Sequence, residues 1–248
     1  MLKEPYENIY IGNFIYTLGF LSGKKNKSSN EAGVHLIQQT PDDKEWADLL
    51  SRWKGSYFLF EFKKQEKGCK SERHKKYCKD QCPGECYEHR SSYYDLINTE
   101  KFANYKETAD KSHFIGFGVN NGKNRDLEFI PYASVIDSDI QNKTNVKNLT
   151  QLCHLITNKD ESVGVDGKTF NNYLKFLNAC IGGKKSAAGG FIVNIDYKGN
   201  VNLVELKHIS QLAKNLNSPD KQYPKLTPEQ KVELDKKRNK TNTRKYVK

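Results

Sequence analysis

The sequence predicts an α/β or α+β protein in which a mixed β-sheet is flanked by helices. Two patterns predict this class, because apolar residues recur with a period of two in some segments and with helical spacing in others. The two kinds of segment are interleaved along the 248 residues. A chain of this length buries a substantial core, as one large domain or as one domain with an appended lobe.

The opening segments predict strands. Between Ile9 and Leu21, short apolar runs are separated by Gly12 and Gly19, a spacing that suggests strands. A polar stretch follows, and Val34–Ile37 then predicts another short strand.

A helix is predicted next, with Thr40 as its N-cap and Pro41 as its first residue. Its apolar face is formed by residues at positions i, i+3, i+4 and i+7, namely Trp46, Leu49, Leu50 and Trp53. Gly55 is expected to end this helix.

The segment Ser56–Lys63 is rich in aromatic residues and predicts a strand. Side chains alternate between the two faces of a strand. One face therefore carries the three phenylalanines Phe58, Phe60 and Phe62. The opposite face carries Tyr57, Leu59, Glu61 and Lys63.

In the second half, Phe114–Val119 and Leu127–Ile130 predict a hairpin that turns at 120–122. Helical spacing predicts a helix through Val146, Leu149, Leu152, Cys153 and Ile156. A second helix, with Thr169 as its cap, is predicted by Phe170, Tyr173, Leu174 and Leu177. A last hairpin joins Phe191–Ile195 to Val201–Leu206.

Glu61 and Lys63 form the first candidate site. They share the strand face opposite three phenylalanines that must be buried, and an uncompensated charge so close to a core is costly. The two groups therefore either satisfy each other or serve an ion. A carboxylate that holds Mg²⁺ lowers the pKa of a bound water, and a nearby lysine stabilises developing negative charge. This chemistry suits phosphodiester cleavage.

Pro41-Asp42, followed after eighteen residues by Glu61-Phe62-Lys63, resembles the motif of the PD-(D/E)XK nuclease superfamily. The resemblance implies a restriction-endonuclease-like fold in which Asp42 and Glu61 bind Mg²⁺ or Mn²⁺ and Lys63 assists the attacking water. Glu31 is a further candidate ligand. The family usually carries its first acid on a strand paired with the Glu-X-Lys strand, whereas Asp42 here falls at a predicted helix start, where an acid is also favoured by the helix dipole.

A second Glu-X-Lys pattern ends the late hairpin. Glu205 and Lys207 are separated by Leu206, and Asp196 precedes them by nine residues. Two paired strands match the family's usual hairpin arrangement, although acids and lysines are also common at turns and strand ends. Asp196, Glu205 and Lys207 therefore form the second candidate catalytic set.

Four cysteines are clustered in a charged stretch at about 64–90, which predicts a Cys/His-rich insertion. Cys69, Cys78, Cys82 and Cys86 have a spacing compatible with tetrahedral Zn²⁺, and Pro83-Gly84 supplies a tight turn. An iron–sulfur cluster, or thiols that are unliganded or form disulfides, remain alternatives. Cys153 and Cys180 lie among apolar residues and are expected to be buried thiols.

Basic residues predict a polyanionic partner, because the chain has a net charge of +11. In the insertion, the expected phosphate contacts are Lys64, Lys67, Lys70, Arg73, Lys75 and Lys76. Residues 221–248 carry ten lysines and arginines against three acids. We therefore divide the chain into a nuclease-like domain at 1–217, which includes the insertion, and a basic C-terminal tail at 218–248, whose alternative role is solubility alone.

No run approaches the roughly 20 apolar residues of a membrane span, and no secretory signal is recognisable. We accordingly expect a cytoplasmic protein with no membrane partner. The leading hypothesis is a magnesium-dependent endonuclease acting on DNA ahead of RNA. The resemblance further implies a place in a bacterial restriction or antiphage defence system, where other protein subunits are potential partners. The alternative is a nucleic-acid-binding or scaffold subunit without catalysis.

Overall fold

A computed structural model describes residues 5–25, 32–36, 49–53, 55–69, 91–122, 124–135, 145–180, 190–195, 201–206, 227–230, 232–233 and 236. Helices are α1 (Glu7–Lys25), α2 (Ser91–Ile97), α3 (Ala103–Ser112), α4 (Leu149–Asn158) and α5 (Gly167–Cys180). Strands are β1 (Ala32–Leu36), β2 (Leu49–Trp53), β3 (Ser56–Lys63), β4 (His113–Asn121), β5 (Asn124–Pro131), β6 (Lys147–Asn148), β7 (Gly190–Ile195) and β8 (Val201–Leu206).

All of these strands belong to one mixed sheet, with the order β6-β5-β4-β3-β2-β1-β7-β8. β1, β2 and β3 form an antiparallel meander. β3 and β4 are parallel, and the chain between them includes α2 and α3. Every other pairing is antiparallel. The predicted α/β class is therefore confirmed at this coarse level.

Two hydrophobic clusters lie on opposite faces of the sheet. The phenylalanine cluster packs beneath α1 and α4 and contains Phe14, Phe58, Phe60, Phe62, Phe114 and Phe129. The tyrosine cluster packs beneath α2, α3 and α5 and contains Tyr57, Tyr93, Tyr94, Tyr105, Tyr132 and Tyr173. The sheet is thus covered by helices on both faces, which explains why β3 is buried along nearly its whole length.

The prediction of strands between Ile9 and Leu21 was wrong, because this segment lies within α1. Its buried residues recur with helical spacing and form one face, namely Tyr10, Ile11, Phe14 and Leu18. Gly12 and Gly19 are exposed on the other side of the helix. They therefore interrupt no packed face, and a helix tolerates them at a cost in stability.

The predicted helix ending at Gly55 was also wrong over its described part, since Leu49–Trp53 is β2. Leu49 and Trp53 both pack in the phenylalanine cluster. Residues four apart share a face in a strand as well as in a helix, so their spacing did not discriminate between the two. Trp53 pairs with Ser56 across a two-residue loop in which Gly55 has φ +82°, so this glycine forms a hairpin turn. Thr40 and Pro41 lie outside the described residues.

The other predicted elements are confirmed, with the starts of two helices corrected. β3, the β4–β5 hairpin, α4, α5 and the β7–β8 hairpin all occur in the predicted segments, and β1 contains most of the predicted Val34–Ile37 strand. α4 begins at Leu149 rather than near Val146, because the Asn148 side chain caps it by accepting from the Gln151 backbone. α5 begins earlier than expected, because Asp166 rather than Thr169 is its cap. The Asp166 carboxylate accepts hydrogen bonds from the Lys168 and Thr169 backbones and from the Thr169 hydroxyl. Burial acts to raise the pKa of Asp166, but these hydrogen bonds outweigh it and lower the pKa.

Candidate active site

Glu61 and Lys63 lie near the end of β3, a central strand with a partner on each side. On the parallel side, Glu61 is level with Ile115 and Lys63 with Phe117 of β4. On the antiparallel side, Phe60 pairs with Leu49, the first residue of β2. The predicted alternation of side chains is confirmed, because the phenylalanines of β3 pack in one cluster and Tyr57 and Leu59 pack in the other.

The two charged groups form a buried ion pair. The Lys63 ammonium donates to the Glu61 Oε1 at 2.7 Å. The Glu61 side chain is only 2% exposed and that of Lys63 is 13% exposed. Transfer of either ion alone from water to such a site costs several kcal/mol. The attraction between the two groups offsets part of this desolvation cost.

The chain that follows β3 folds back over this pair. Residues 66–69 form a 3₁₀ turn, which the Gly68 backbone stabilises by donating to the Gln65 carbonyl at 2.9 Å. A Cβ at Gly68 would lie 3.4 Å from the Lys63 Cβ, so the turn rests on the stem of the lysine. Cys69, at the end of the turn, is fully buried in the tyrosine cluster. The Lys63 side chain is therefore mostly shielded from solvent.

The opposite face of β3 is held rigidly by aromatic packing. The Phe60 ring lies 4.6 Å from the ring of Phe14 and 5.9 Å from that of Phe114, measured between centroids. The Phe62 and Phe129 rings meet edge to face at 6.0 Å. Such packing fixes the strand that carries the ion pair, and a positioned polar group is what a catalytic site requires.

A buried network of three hydrogen-bonded side chains, which the sequence did not reveal, lies on the same side of the sheet as Glu61. Tyr93 and Tyr173 share a hydrogen bond between their hydroxyls at 2.7 Å. The Tyr173 hydroxyl is also 2.6 Å from the Nδ1 of His113. The His113 ring stacks on Tyr132 at a centroid distance of 3.9 Å. Because the three hydrogen-bonded residues are far apart in the sequence, no local pattern could have indicated this relay.

Several predicted site residues can be placed. Lys64 and Lys67 follow the ion pair and are exposed, as phosphate contacts would need to be. Glu205 lies on β8, level with Phe191 of β7. β8 is four positions from β3 in the sheet order. At about 4.8 Å per strand, the two Glu-X-Lys patterns are roughly 19 Å apart and do not form one site.

The remaining predicted site residues lie outside the described part of the chain. They comprise the candidate ligands Glu31 and Asp42, the cysteines Cys78, Cys82 and Cys86, the basic residues Lys70, Arg73, Lys75 and Lys76, and the second-set residues Asp196 and Lys207. Magnesium and zinc binding therefore stay predictions. Among the residues that the structure describes, no group of three or more His, Cys, Asp or Glu side chains could hold a metal ion.

The expectation for Cys153 and Cys180 is confirmed, because both are buried in the core. Burial raises the pKa of the Cys153 thiol to about 12. Part of the basic tail contacts the main body: the Gln230 side-chain amide donates to the Lys101 carbonyl at 2.9 Å. Within the described residues, no helix is long and apolar enough to cross a membrane.

Comparison with known proteins adds no relative to this description. No protein-family model matches the chain, and no curated protein or solved structure matches it either. The function must therefore be argued from the residues of the site.

Proposed function

We propose that the protein is a metal-dependent nuclease that hydrolyses phosphodiester bonds, with its site at Glu61 and Lys63. The observation that carries the proposal is the carboxylate–ammonium pair at 2.7 Å, buried near the end of a central strand. Perturbed or costly charges in a core are concentrated at functional sites. The PD-(D/E)XK resemblance, a restriction-endonuclease-like fold and a role in bacterial defence belong to the same proposal.

The pair has the chemistry that the reaction requires. The Glu61 carboxylate supplies one hard oxygen donor of the kind that Mg²⁺ prefers. When bound, Mg²⁺ supplies Lewis-acid activation of water. The Lys63 ammonium, positioned by its hydrogen bond to the carboxylate, stabilises negative charge that develops on the phosphate. A second carboxylate is needed to hold the ion in addition to Glu61.

The corrected secondary structure identifies an additional candidate for that second acid. β2 is the strand that pairs antiparallel with the Glu-X-Lys strand, which is where the resemblance places the first acid. In the sequence, Asp48 immediately precedes Leu49, the first residue of β2. Asp48 therefore joins Asp42 as a candidate ligand.

The test is a cleavage assay on DNA and RNA with Mg²⁺ or Mn²⁺. We expect Glu61→Gln and Lys63→Ala each to reduce the cleavage rate by roughly 10²-fold or more, the effect of removing one stabilising group in a catalytic site. Asp48→Asn and Asp42→Asn, assayed separately, identify the second acid. Lys168→Ala removes one exposed lysine from α5 and is the matched control for net charge. Cleavage by Lys63→Ala at the wild-type rate would refute the proposal.

A second candidate function is nucleic-acid binding without catalysis, as a subunit or scaffold. The observation that favours it is the same ion pair, because Lys63 already compensates Glu61 in the folded chain. Salt-dependent binding of nucleic acid, with no cleavage in either metal, would support this function over the first.

A further inference from the structure

The outward face of α1 carries an unusual set of exposed apolar side chains. Tyr16 is 72% exposed, Ile9 is 51% exposed and Phe20 is 49% exposed, and Tyr6, just before the helix, is 60% exposed. Among the described residues only Val232 is a comparable large hydrophobic side chain at the surface. At 100° per residue, Ile9, Tyr16 and Phe20 lie on one side of the helix, opposite the buried face that contains Phe14.

Lysine ammonium groups stand over the rings at both ends of this face. The Lys24 Nζ lies 4.6 Å from the centroid of the Phe20 ring. The Lys64 Nζ lies 4.6 Å from the centroid of the Tyr6 ring. The only acid in α1 is Glu7, in its first turn. The face is therefore aromatic and positively charged. It is complementary to a polyanion that carries exposed planar rings, which can stack on the aromatic side chains.

The space around the aromatic rings is open. Gly12, Gly19 and Gly23 are exposed beside the aromatic residues, and a Cβ at any of them would meet no atom within 4 Å. No side chain therefore stands on the helix at these three positions. The Tyr16 and Phe20 rings are nearly parallel, with an interplanar angle of 16° and centroids 6.2 Å apart. Both side chains are largely accessible to solvent.

The N-terminal end of the face lies against the end of β3. Lys64 directly follows Lys63 in the chain, and its ammonium contacts the Tyr6 ring, whereas the ion pair itself lies on the sheet face opposite α1. A Cβ at Gly118 would collide with the Tyr10 hydroxyl and lie 2.8 Å from the Lys64 carbonyl. The start of α1 is thus fixed against the end of β3.

We propose that the outward face of α1 binds single-stranded nucleic acid, with bases stacking on Tyr16, Phe20 and Tyr6 and phosphates contacting Lys24 and Lys64. Aromatic rings combined with a basic track are the usual means of binding single strands. Paired bases in a duplex have no free face to stack. The inference rests on the proposed function, and it identifies a single strand as the form of nucleic acid that the protein binds.

The test is equilibrium binding of a fluorescent, unstructured 20-nucleotide strand and of a matched duplex, in a buffer without Mg²⁺ or Mn²⁺. The key variant is Tyr16→Leu/Phe20→Leu, which keeps the face apolar but removes both rings. We expect it to bind the single strand roughly tenfold or more weakly, since each stacked base contributes about 1–3 kcal/mol. Lys24→Gln should weaken binding less and reduce its salt dependence.

Val232→Ala removes an exposed apolar side chain elsewhere and is the matched control, for which unchanged binding is expected. Wild-type binding of the single strand with no loss in the leucine variant would overturn the inference and leave the nuclease proposal intact. Binding of neither form of nucleic acid would also overturn the inference, whereas the nuclease proposal is decided by the cleavage assay with metal. If the leucine variant binds normally and the wild type is an oligomer through α1, the face is an interface between copies and the inference fails.

Discussion

The Glu61 carboxylate lies in a position where a charge is costly, on a central strand beside aromatic side chains. The contact with Lys63 offsets this cost, and the Gly68 turn keeps the lysine stem in place. A buried ion pair is not by itself a strong source of stability, because the desolvation of both ions opposes their attraction. The structural and functional roles of the pair can therefore be measured separately.

We expect Lys63→Met to destabilise the protein by about 3 kcal/mol or more, because it removes the ammonium that pairs with the buried Glu61 carboxylate. The double variant Glu61→Leu/Lys63→Met should recover much of this loss, since both charges of the buried pair are then removed. Urea denaturation measures both free energies of unfolding. If catalysis requires the pair, the double variant remains inactive despite its recovered stability. A loss below about 1 kcal/mol in Lys63→Met would show that the ammonium is not needed to compensate Glu61.

The relay of Tyr93, Tyr173 and His113 also consists of buried polar side chains, but hydrogen bonds rather than an ion pair join them. Its members hydrogen-bond to one another and connect α2, α5 and β4 through the tyrosine cluster. Hydrogen bonds between buried side chains of different elements favour one particular packing of the core. It lies on the face of the sheet that carries Glu61, whereas the other face is packed mainly by phenylalanine, whose ring needs no hydrogen-bond partner.

At the scale of elements, α1 contains glycines that its own packing does not require. Gly12 and Gly19 are exposed in the helix interior, where glycine costs stability relative to alanine. By contrast, Gly118 of β4 allows close approach of α1 and of the chain after β3. Glycine therefore lowers the stability of the protein at positions 12 and 19, whereas at position 118 it permits close packing.

We expect Gly12→Ala and Gly19→Ala each to stabilise the isolated protein by about 0.5–1 kcal/mol. The added methyl group meets nothing within 4 Å and restricts the unfolded chain. Gly118→Ala should destabilise it, because its Cβ would collide with the Tyr10 hydroxyl. The free energies of unfolding in urea distinguish these signs. Destabilisation by Gly12→Ala would contradict the helical assignment of this segment.

The β2–β3 hairpin illustrates why one predicted helix became a strand. Leu49 and Trp53 match both periodicities, and the turn at Gly55 decides between them by directing β2 back along β3. Trp53 then packs beneath α1, which the local sequence could not indicate. In the sequence, Asp48 therefore directly precedes a strand that pairs with β3.

At the scale of the molecule, burial and predicted zinc binding define two overlapping sets among the six cysteines, with Cys69 in both. Cys69, Cys153 and Cys180 are buried in the core, and burial raises the pKa of Cys153 to about 12, so little nucleophilic thiolate forms there. Cys78, Cys82 and Cys86 remain the predicted zinc ligands, with Cys69 as the fourth. The zinc prediction can be tested through the reactivity of these thiols.

We expect the native protein to contain one zinc ion and to resist alkylation at pH 8. Removal of zinc with a chelator should expose Cys78, Cys82 and Cys86, because a thiolate ligand is protected while it is coordinated. Cys153 should react only after denaturation. Mass spectrometry of the alkylated peptides gives the site-by-site result. Reactive Cys78, Cys82 and Cys86 in a protein without zinc would contradict the zinc site.

The sequence by itself determined the α/β class, the β3 strand with its two-sided pattern, both later hairpins and the position of α4 and α5. These features depend on local periodicity and turn residues, which neighbouring positions in the chain specify. It also indicated Glu61 and Lys63, because alternation alone places them on one face. Only the tertiary structure decided that α1 is a helix, that β2 is a strand, and that the two charged groups meet at 2.7 Å in a covered core. Those outcomes depend on contacts between residues far apart in the sequence, which local patterns do not contain.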